Sequence, residues 1–361
     1  MSDDDLALLR ETVRAAFDDL SPTAQVRRMM DTERGWDRAV WTRLCREIGL
    51  TGLMVPESYG GTGGSSVELG VVFEEAGRSL LAAPLFATAG LALPLLLALD
   101  DADALDRYLP GICDGSIVAT AAMTDVDDVT ATDDTLSGAT GFVVDGAFAD
   151  LILVAARTED GLGVFAVEGT ATGLDRTTLV TLDPTRKLAR LTFAEVAAHR
   201  IGSGDAEPAI RQALDTARAL LANEQVGGAA HCLAATVDYA KSRIQFGRPI
   251  GSFQAVKQHA ADMLIQVESA RSAAITAAQA AAGWVDAPEL PVAAAIAKAY
   301  CSEAFVGVAA DMIQLHGGIG FTWEHDAHLY FKRAWTSREL LGRPQAHLDA
   351  LAARFTGAGQ C

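Results

Sequence analysis

Residues 243–263 read RIQFGRPIGSFQAVKQHAADM, and residues 314–330 read QLHGGIGFTWEHDAHLY. Each breaks a long helical pattern with glycine. In the first stretch Arg243, Arg248 and Lys257 stand beside Phe246 and Phe253 in a turn between two helices. Guanidinium donors for a pyrophosphate and a stacking face for an adenine ring thus come together. A loop of solvated charges accounts for the same residues. In the second stretch Gly317 and Gly318 lack side chains that would hold a ligand away from the backbone N–H groups, and Gln314 offers an amide. Glycine pairs also end helices, so this pair alone does not decide between a cap and a binding turn.

Outward from these segments the chain reads helical, β, helical. From Asp3 to about Asp114 apolar residues recur at three- and four-residue spacing (Leu6, Leu9, Val13, Phe17; Trp41, Leu44, Ile48). The glycine-rich loop VPESYGGTGGSS (55–66) lacks the GKS or GKT of a phosphate-binding P-loop and reads as a turn. Between about Ser116 and Ile201, the runs SIVATAAM, GFVVDG, DLILVAAR, GVFAVEG and LARLTFAEV predict strands, separated by turns rich in Gly, Asp and Thr. They suggest a small barrel or sandwich. From Asp205 onward, long alanine-rich helical patterns predict close antiparallel packing. The expected class is α+β, with a helical domain over 1–114, a β-domain over 115–203 and a helical bundle over 204–361.

The bulk properties bound the function. With 361 residues and a net charge of −18 (29 basic against 47 acidic), the chain repels phosphate backbones, so nucleic acid is excluded as a partner. Cys45, Cys113, Cys232, Cys301 and Cys361 show no CxxC or metal spacing and predict reduced thiols in a cytoplasmic protein. The acidic, amphipathic N-terminus lacks the basic start and apolar core of a signal peptide, so no export is expected. Ser79–Asp100 imitates a membrane span in length, but Pro84 and Pro94 interrupt it and no basic cluster flanks it. It reads as a buried pair of helices, with no membrane span.

Taken together, the two opening segments closely resemble the signature regions of the acyl-CoA dehydrogenases, which are flavoproteins. The stretches YGGTGGSSVELGVVFEEAGRSL (59–80) and LSGATGFVVDGAFADLILVAA (136–156) are similar to that family's N-terminal helical domain and central sheet. The resemblance implies a three-domain fold, with FAD between sheet domain and C-terminal bundle and a second subunit completing the site. It implies cofactor contacts from Arg243, Phe246, Gln314, Gly317 and Gly318, and from Thr124 in the sheet domain. It also implies α,β-dehydrogenation of an acyl-CoA to the 2-enoyl-CoA. A carboxylate removes the α-proton, the β-hydrogen leaves as hydride to the flavin, and an electron-transfer flavoprotein or similar acceptor reoxidises it.

The sequence departs from the family at the base. Where many members carry a glutamate ahead of glycine, Leu341 precedes Gly342, and where a subgroup carries one ahead of arginine, Ala217 precedes Arg218. Glu224 lies seven residues after Ala217, on the same helix face and inside the apolar run RALLANEQVGGAA, a setting that suits a general base or a glutamate satisfied by an arginine. Glu339 reads as a surface charge paired with Arg338 or Arg343. In the sheet domain, Phe142 and Val144 replace the tryptophan and threonine near the flavin. His316, His325 and His328 have no zinc spacing and read as packing and hydrogen-bonding groups. Three expectations follow: an active dehydrogenase with Glu224 as base; a catalytically silent partner subunit of a heteromeric dehydrogenase, the arrangement of some members acting on bulky acyl-CoA such as steroid side chains; or, more remotely, a flavin monooxygenase on the same fold.

Overall fold

The computed structural model describes residues 3–124, 126–284 and 289–356; Cys361, expected as a reduced thiol, lies outside them. Helices α1 (Asp3–Leu20), α2 (Thr23–Met30), α3 (Arg38–Ile48), α4 (Ser66–Ser79), α5 (Leu93–Leu99) and α6 (Ala102–Cys113) precede the sheet. Helices α7 (Glu207–Ser242), α8 (Gln254–Ala281), α9 (Leu290–His316), α10 (Ala327–Glu339) and α11 (Pro344–Thr356) follow it. The described residues divide into two compact units, one of 24–69 and 82–217, the other of 3–23, 70–81 and 218–356. The N-terminal helical region is therefore shared between the two units.

The first unit is built on one mixed sheet. Its strands are β1 (Ala119–Ala122), β2 (Val129–Thr132), β3 (Thr135–Val144), β4 (Leu151–Thr158), β5 (Gly161–Glu168), β6 (Leu174–Thr178), β7 (Leu188–Ala197) and β8 (His199–Ile201). They run in the order β6-β7-β3-β2-β4-β5-β8, with β1 also on β4. β1 and β2 lie parallel to β4, and the other pairings are antiparallel. The sheet is open at β6 and β8, which corrects the expectation of a barrel. The physical reason is at the edges: β8 has three residues, and β6 alternates half-buried and exposed positions, so neither offers a long apolar strand to close the ring. Six successive residues of β4, Leu151–Ala156, are buried, as its unbroken apolar run requires of a central strand. The core gathers Leu136, Ile152, Val154, Phe165, Val167, Leu191 and Phe193. Bulges interrupt β3 at Leu136/Gly138 and Thr140/Val143. At Gly138 (φ +126°) a Cβ would come within 2.1 Å of the Asp128 carbonyl, so only glycine fits.

The membrane-like stretch is interior here. Residues 85–96 are all buried, and Phe86–Ala92 form a π-helical turn leading into α5. Pro94 sits in the first turn of α5, where its missing N–H costs nothing. Thr88 Oγ1 donates to the Ala119 carbonyl at 3.0 Å and ties this segment to β1. Cys45, Cys113, Cys232 and Cys301 are buried free thiols.

The second unit is helical and lined with small residues: Ala219, Ala222 and Val226 of α7 meet Ala270, Ala274 and Ala277 of α8 and Ala293, Ala297, Cys301 and Ala304 of α9. Leu290–Phe321 is long and apolar enough to cross a membrane, yet 61% of its most apolar window is buried. Two glycines bring backbones into contact: a Cβ at Gly227 would lie 1.7 Å from the Glu74 carbonyl oxygen, and one at Gly77 would lie 1.9 Å from that of Glu224. α1 is held by ion pairs from Arg10 to Glu74 (2.7 Å) and from Arg14 to Glu75 (2.8 Å). Burial pushes the Glu75 carboxyl up, and hydrogen bonds from Arg14 and Arg78 more than offset it, leaving it below the usual carboxylate range.

Since the Gly227 contact is backbone to backbone, Gly227→Ala should lower stability by about 2–3 kcal/mol. Gly318, with open space around it, should take alanine with little change. Thermal unfolding of the two variants checks both expectations.

Candidate active site

At the end of α7 the chain forms a two-stranded hairpin, β9 (Ile244–Gln245) against β10 (Arg248–Pro249). The connecting Phe246 and Gly247 both have positive φ (52° and 78°), which matches the twist of a two-residue hairpin turn. Phe246 is 92% exposed at the tip and meets Phe253 edge-on at 6.2 Å, while the Arg248 guanidinium lies 4.1 Å over the Phe253 ring. Arg243 is exposed, with no ion pair to its guanidinium among the described residues.

α9 ends at Gly317, whose φ of 64° and ψ of −142° lie in a region that only glycine occupies comfortably. The N–H of Gly317 donates to the carbonyls of Gln314 and Ile313, so it closes the helix. Gly318 is exposed and has room for a side chain, and Gln314 is exposed on the last turn. Tyr239 joins the two segments: its hydroxyl donates to the His316 carbonyl at 3.3 Å, and its ring stacks on His316 at 4.3 Å. The expected cofactor residues Arg243, Phe246, Gln314, Gly317 and Gly318 are thereby held at one end of the helical unit. Thr124 belongs to the sheet unit, exposed just after β1. There too, Phe142 is exposed in its bulge, and Val144 is buried, its carbonyl accepting from Thr120 Oγ1 at 2.6 Å.

The three histidines serve structure. His316 packs against His325 at 4.5 Å and places Nδ1 2.7 Å from the Met312 carbonyl. His325 Nδ1 accepts from the Ala327 N–H at 3.1 Å at the start of α10, and His328 packs edge-on against Trp323. Among the described residues no group of three or more His, Cys, Asp or Glu is arranged to hold a metal.

A second constellation is buried. Successive residues of α7 point about 100° apart, and Asn223, Glu224 and Gln225 each address a different neighbour. Asn223 donates to the Ala274 carbonyl of α8 at 3.3 Å. Glu224 Oε1 lies 3.2 Å from Arg333 Nη1 of α10, both side chains buried. Gln225 Nε2 donates to Ser302 Oγ of α9 at 3.0 Å and to Ser337 Oγ of α10 at 3.2 Å. Beside them Lys298, fully buried in α9, donates to Ser302 Oγ (2.9 Å) and to the carbonyls of Ser337 (3.3 Å) and Arg338 (2.9 Å). Burial pushes the Lys298 ammonium down to about 7, with Arg218 adding to the effect.

Just past this seam lies the turn read as the missing base position. Leu341 adopts φ 57°, and its carbonyl accepts from Arg218 Nε at 3.3 Å and from His347 Nε2 at 3.1 Å. Burial first, then Arg218 and Lys298, lower His347 to about 4, so the neutral ring donates from Nε2. Glu339 pairs with Arg338 (3.0 Å) and Arg343 (2.5 Å), as a surface charge. Ala217 is buried in α7.

Residues 3–116 match the acyl-CoA dehydrogenase N-terminal domain, and residues 208–356 match its C-terminal domain. The chain belongs to the acyl-CoA dehydrogenase family. Acyl-CoA dehydrogenase IpdE2 of Mycobacterium tuberculosis is 39% identical over 348 residues, 95% of each chain. The protein of the same name from Mycolicibacterium smegmatis is 36% identical, over 96% of this chain and 97% of its own. Among solved structures, a variant of the Tcur3481–Tcur3483 steroid ACAD superposes with a TM-score of 0.88 at 31% identity, covering 99% of each chain. The ChsE4–ChsE5 complex of Mycobacterium tuberculosis does so with a TM-score of 0.90 at 27% identity, covering 99% of this chain and 98% of that one. The acyl-CoA dehydrogenase fold thus accounts for both units, and the chain is an oxidoreductase of that type.

Sequence reasoning found Glu224 but neither its partner Arg333 nor the neighbouring set of Gln225, Ser302, Ser337 and Lys298. One signal was available: Lys298 is a lone cation in the apolar run PVAAAIAKAYC (291–301). Its lowered value carries a sign. Between about 7 and the ordinary lysine value of 10.5, the unfolded chain holds a proton that the folded chain has lost. The stability of the native protein relative to a Lys298→Met variant should therefore rise as pH increases through that window and stay level below it. Denaturant titrations at several pH values check this.

Proposed function

We propose that this chain is an FAD-holding subunit of an acyl-CoA dehydrogenase that converts a bulky acyl-CoA, of steroid type, to its 2-enoyl-CoA in an oligomer with a related chain. The observation that carries the reading is the exposed hairpin of Arg243 and Phe246, tied through Tyr239 and His316 to the Gln314–Gly318 turn. A guanidinium without a protein carboxylate, a bare aromatic face and a turn stripped of side chains together fit the ADP half of FAD. Arg243 would hold the pyrophosphate, Phe246 would stack on the adenine, and Gln314, Gly317 and Gly318 would line the phosphates. Thr124 is a further residue that we assign to FAD, with a second subunit completing the site. FAD, when bound, accepts the β-hydrogen as hydride and passes electrons to an electron-transfer flavoprotein or similar acceptor. The steroid-type substrate and the mixed assembly are supported by the two-component relatives, one of them a steroid ACAD.

If the chain carries its own base, Glu224 takes the α-proton, since it is the buried carboxylate that α7 places in the helical core. A second reading assigns the base to the related chain. It is favoured by Leu341 at the usual glutamate position and by Arg333, which holds Glu224 in a buried ion pair. Leucine cannot accept a proton.

Copurification settles the assembly. Expressed with a homologue from a neighbouring gene, the chain should yield a yellow complex that reduces an artificial acceptor with acyl-CoA. Arg243→Ala should lower flavin retention about tenfold or more without changing the unfolding temperature of the flavin-free chain; undiminished retention sinks the site. In the active complex, Glu224→Gln should cost about 10²-fold or more in kcat if Glu224 is the base. Intact turnover assigns the base to the partner chain.

A further inference from the structure

Lys298 is the only lysine buried among the described residues, and its surroundings are built. An ammonium has three N–H bonds and no acceptor. Here three oxygens receive them: Ser302 Oγ one turn along the same helix, and the carbonyls of Ser337 and Arg338. Those carbonyls belong to the last turn of α10, where helical C=O groups lack intrahelical partners and the helix presents its negative end. Lys298 is therefore a C-terminal cap for α10 supplied by α9.

What α10 leads into is the strained turn at Leu341. A non-glycine residue in the left-handed region costs about 1–2 kcal/mol and persists only where its surroundings enforce it. Arg218 from α7 and His347 from α11 both grip the Leu341 carbonyl. Donors from three helices thus converge on the carbonyls of residues 337, 338 and 341. Burying an ammonium costs several kcal/mol, a cost that methionine in the same space would avoid. Methionine could not hold three oxygens at once.

We infer that Lys298 is a positioning residue for the acyl-CoA end of the site: by anchoring the end of α10 it sets where the Leu340–Gly342 turn stands against the thioester. The inference rests on the functional reading above, in which Leu341 stands at the family's usual glutamate position and the turn therefore borders the thioester. The charged and titratable groups facing Lys298 are Arg218 on α7, Cys301 on its own helix, Arg338 and Glu339 on α10, and His347 on α11. Arg338 and Glu339 bind each other, and neither supplies a carboxylate to the ammonium.

The test uses the assembled, flavin-loaded protein and its Lys298→Met and Lys298→Gln variants. Two readouts are compared: amide hydrogen exchange across residues 336–343, and titration with octanoyl-CoA and cholyl-CoA followed through the flavin spectrum. In Lys298→Met, exchange in that segment should quicken by about tenfold or more, with α8 amides unchanged. The apparent Kd for the responding thioester should weaken by about tenfold. Lys298→Gln, which keeps part of the donor set, should fall between. Should Lys298→Met fail to fold, Ser302→Ala replaces it, with about a threefold quickening expected from loss of one acceptor. A native complex that responds to a thioester while the variant matches it in both affinity and exchange overturns the inference alone. A native complex blind to both thioesters overturns the functional reading and this inference with it.

Discussion

Three consecutive polar side chains of α7, Asn223, Glu224 and Gln225, reach three different helices, and the helical unit is organised around them. In a core otherwise lined by alanine, such groups are tolerable only if each finds a partner, because an unsatisfied buried donor or ion costs more than its hydrogen bond returns. The requirement works in both directions. Alanine packing tolerates many small slides of one helix along another, whereas Glu224 meets Arg333 and Gln225 meets two serines in only one alignment. The Gly77 and Gly227 contacts fix the remaining freedom by setting the separation of α4 and α7 at backbone distance.

The seam also explains the turn at Leu341. Without a carboxylate there, the turn offers only its backbone carbonyl, and Arg218 and His347 both take it. Glu224, the candidate for acid–base work, is engaged by Arg333.

Much of the architecture was legible in the sequence, and the failures have physical causes. The change from helical to alternating periodicity marked the sheet, and the unbroken run of β4 marked its centre. β2, β6 and β8 escaped notice because they are short and half exposed, so their pattern is that of loops. Closure could not be read either, since strand order is decided by pairings distant in sequence, such as β3 with β7 and β1 with β4. The hairpin and glycine turn were found because special backbone needs special residues. The surroundings of Glu224 were half legible: its apolar neighbours announced burial, but the partner 109 residues away did not announce itself. Gly317 was legible as a helix cap or as a binding turn, and its conformation shows that it ends α9.

The alanine lining of α7, α8 and α9 has an entropic side. Alanine has no rotamers to freeze, so ordering these surfaces costs almost nothing beyond the backbone, whereas a leucine or methionine interface gives up about 0.5–2 kcal/mol of torsional freedom per residue. The same surfaces bring little apolar area per residue into contact, so the bundle exchanges a large driving force for a small ordering cost. Its helices should accordingly pair as stiff rods of main chain, with thermal softening confined to the sparse long side chains between them.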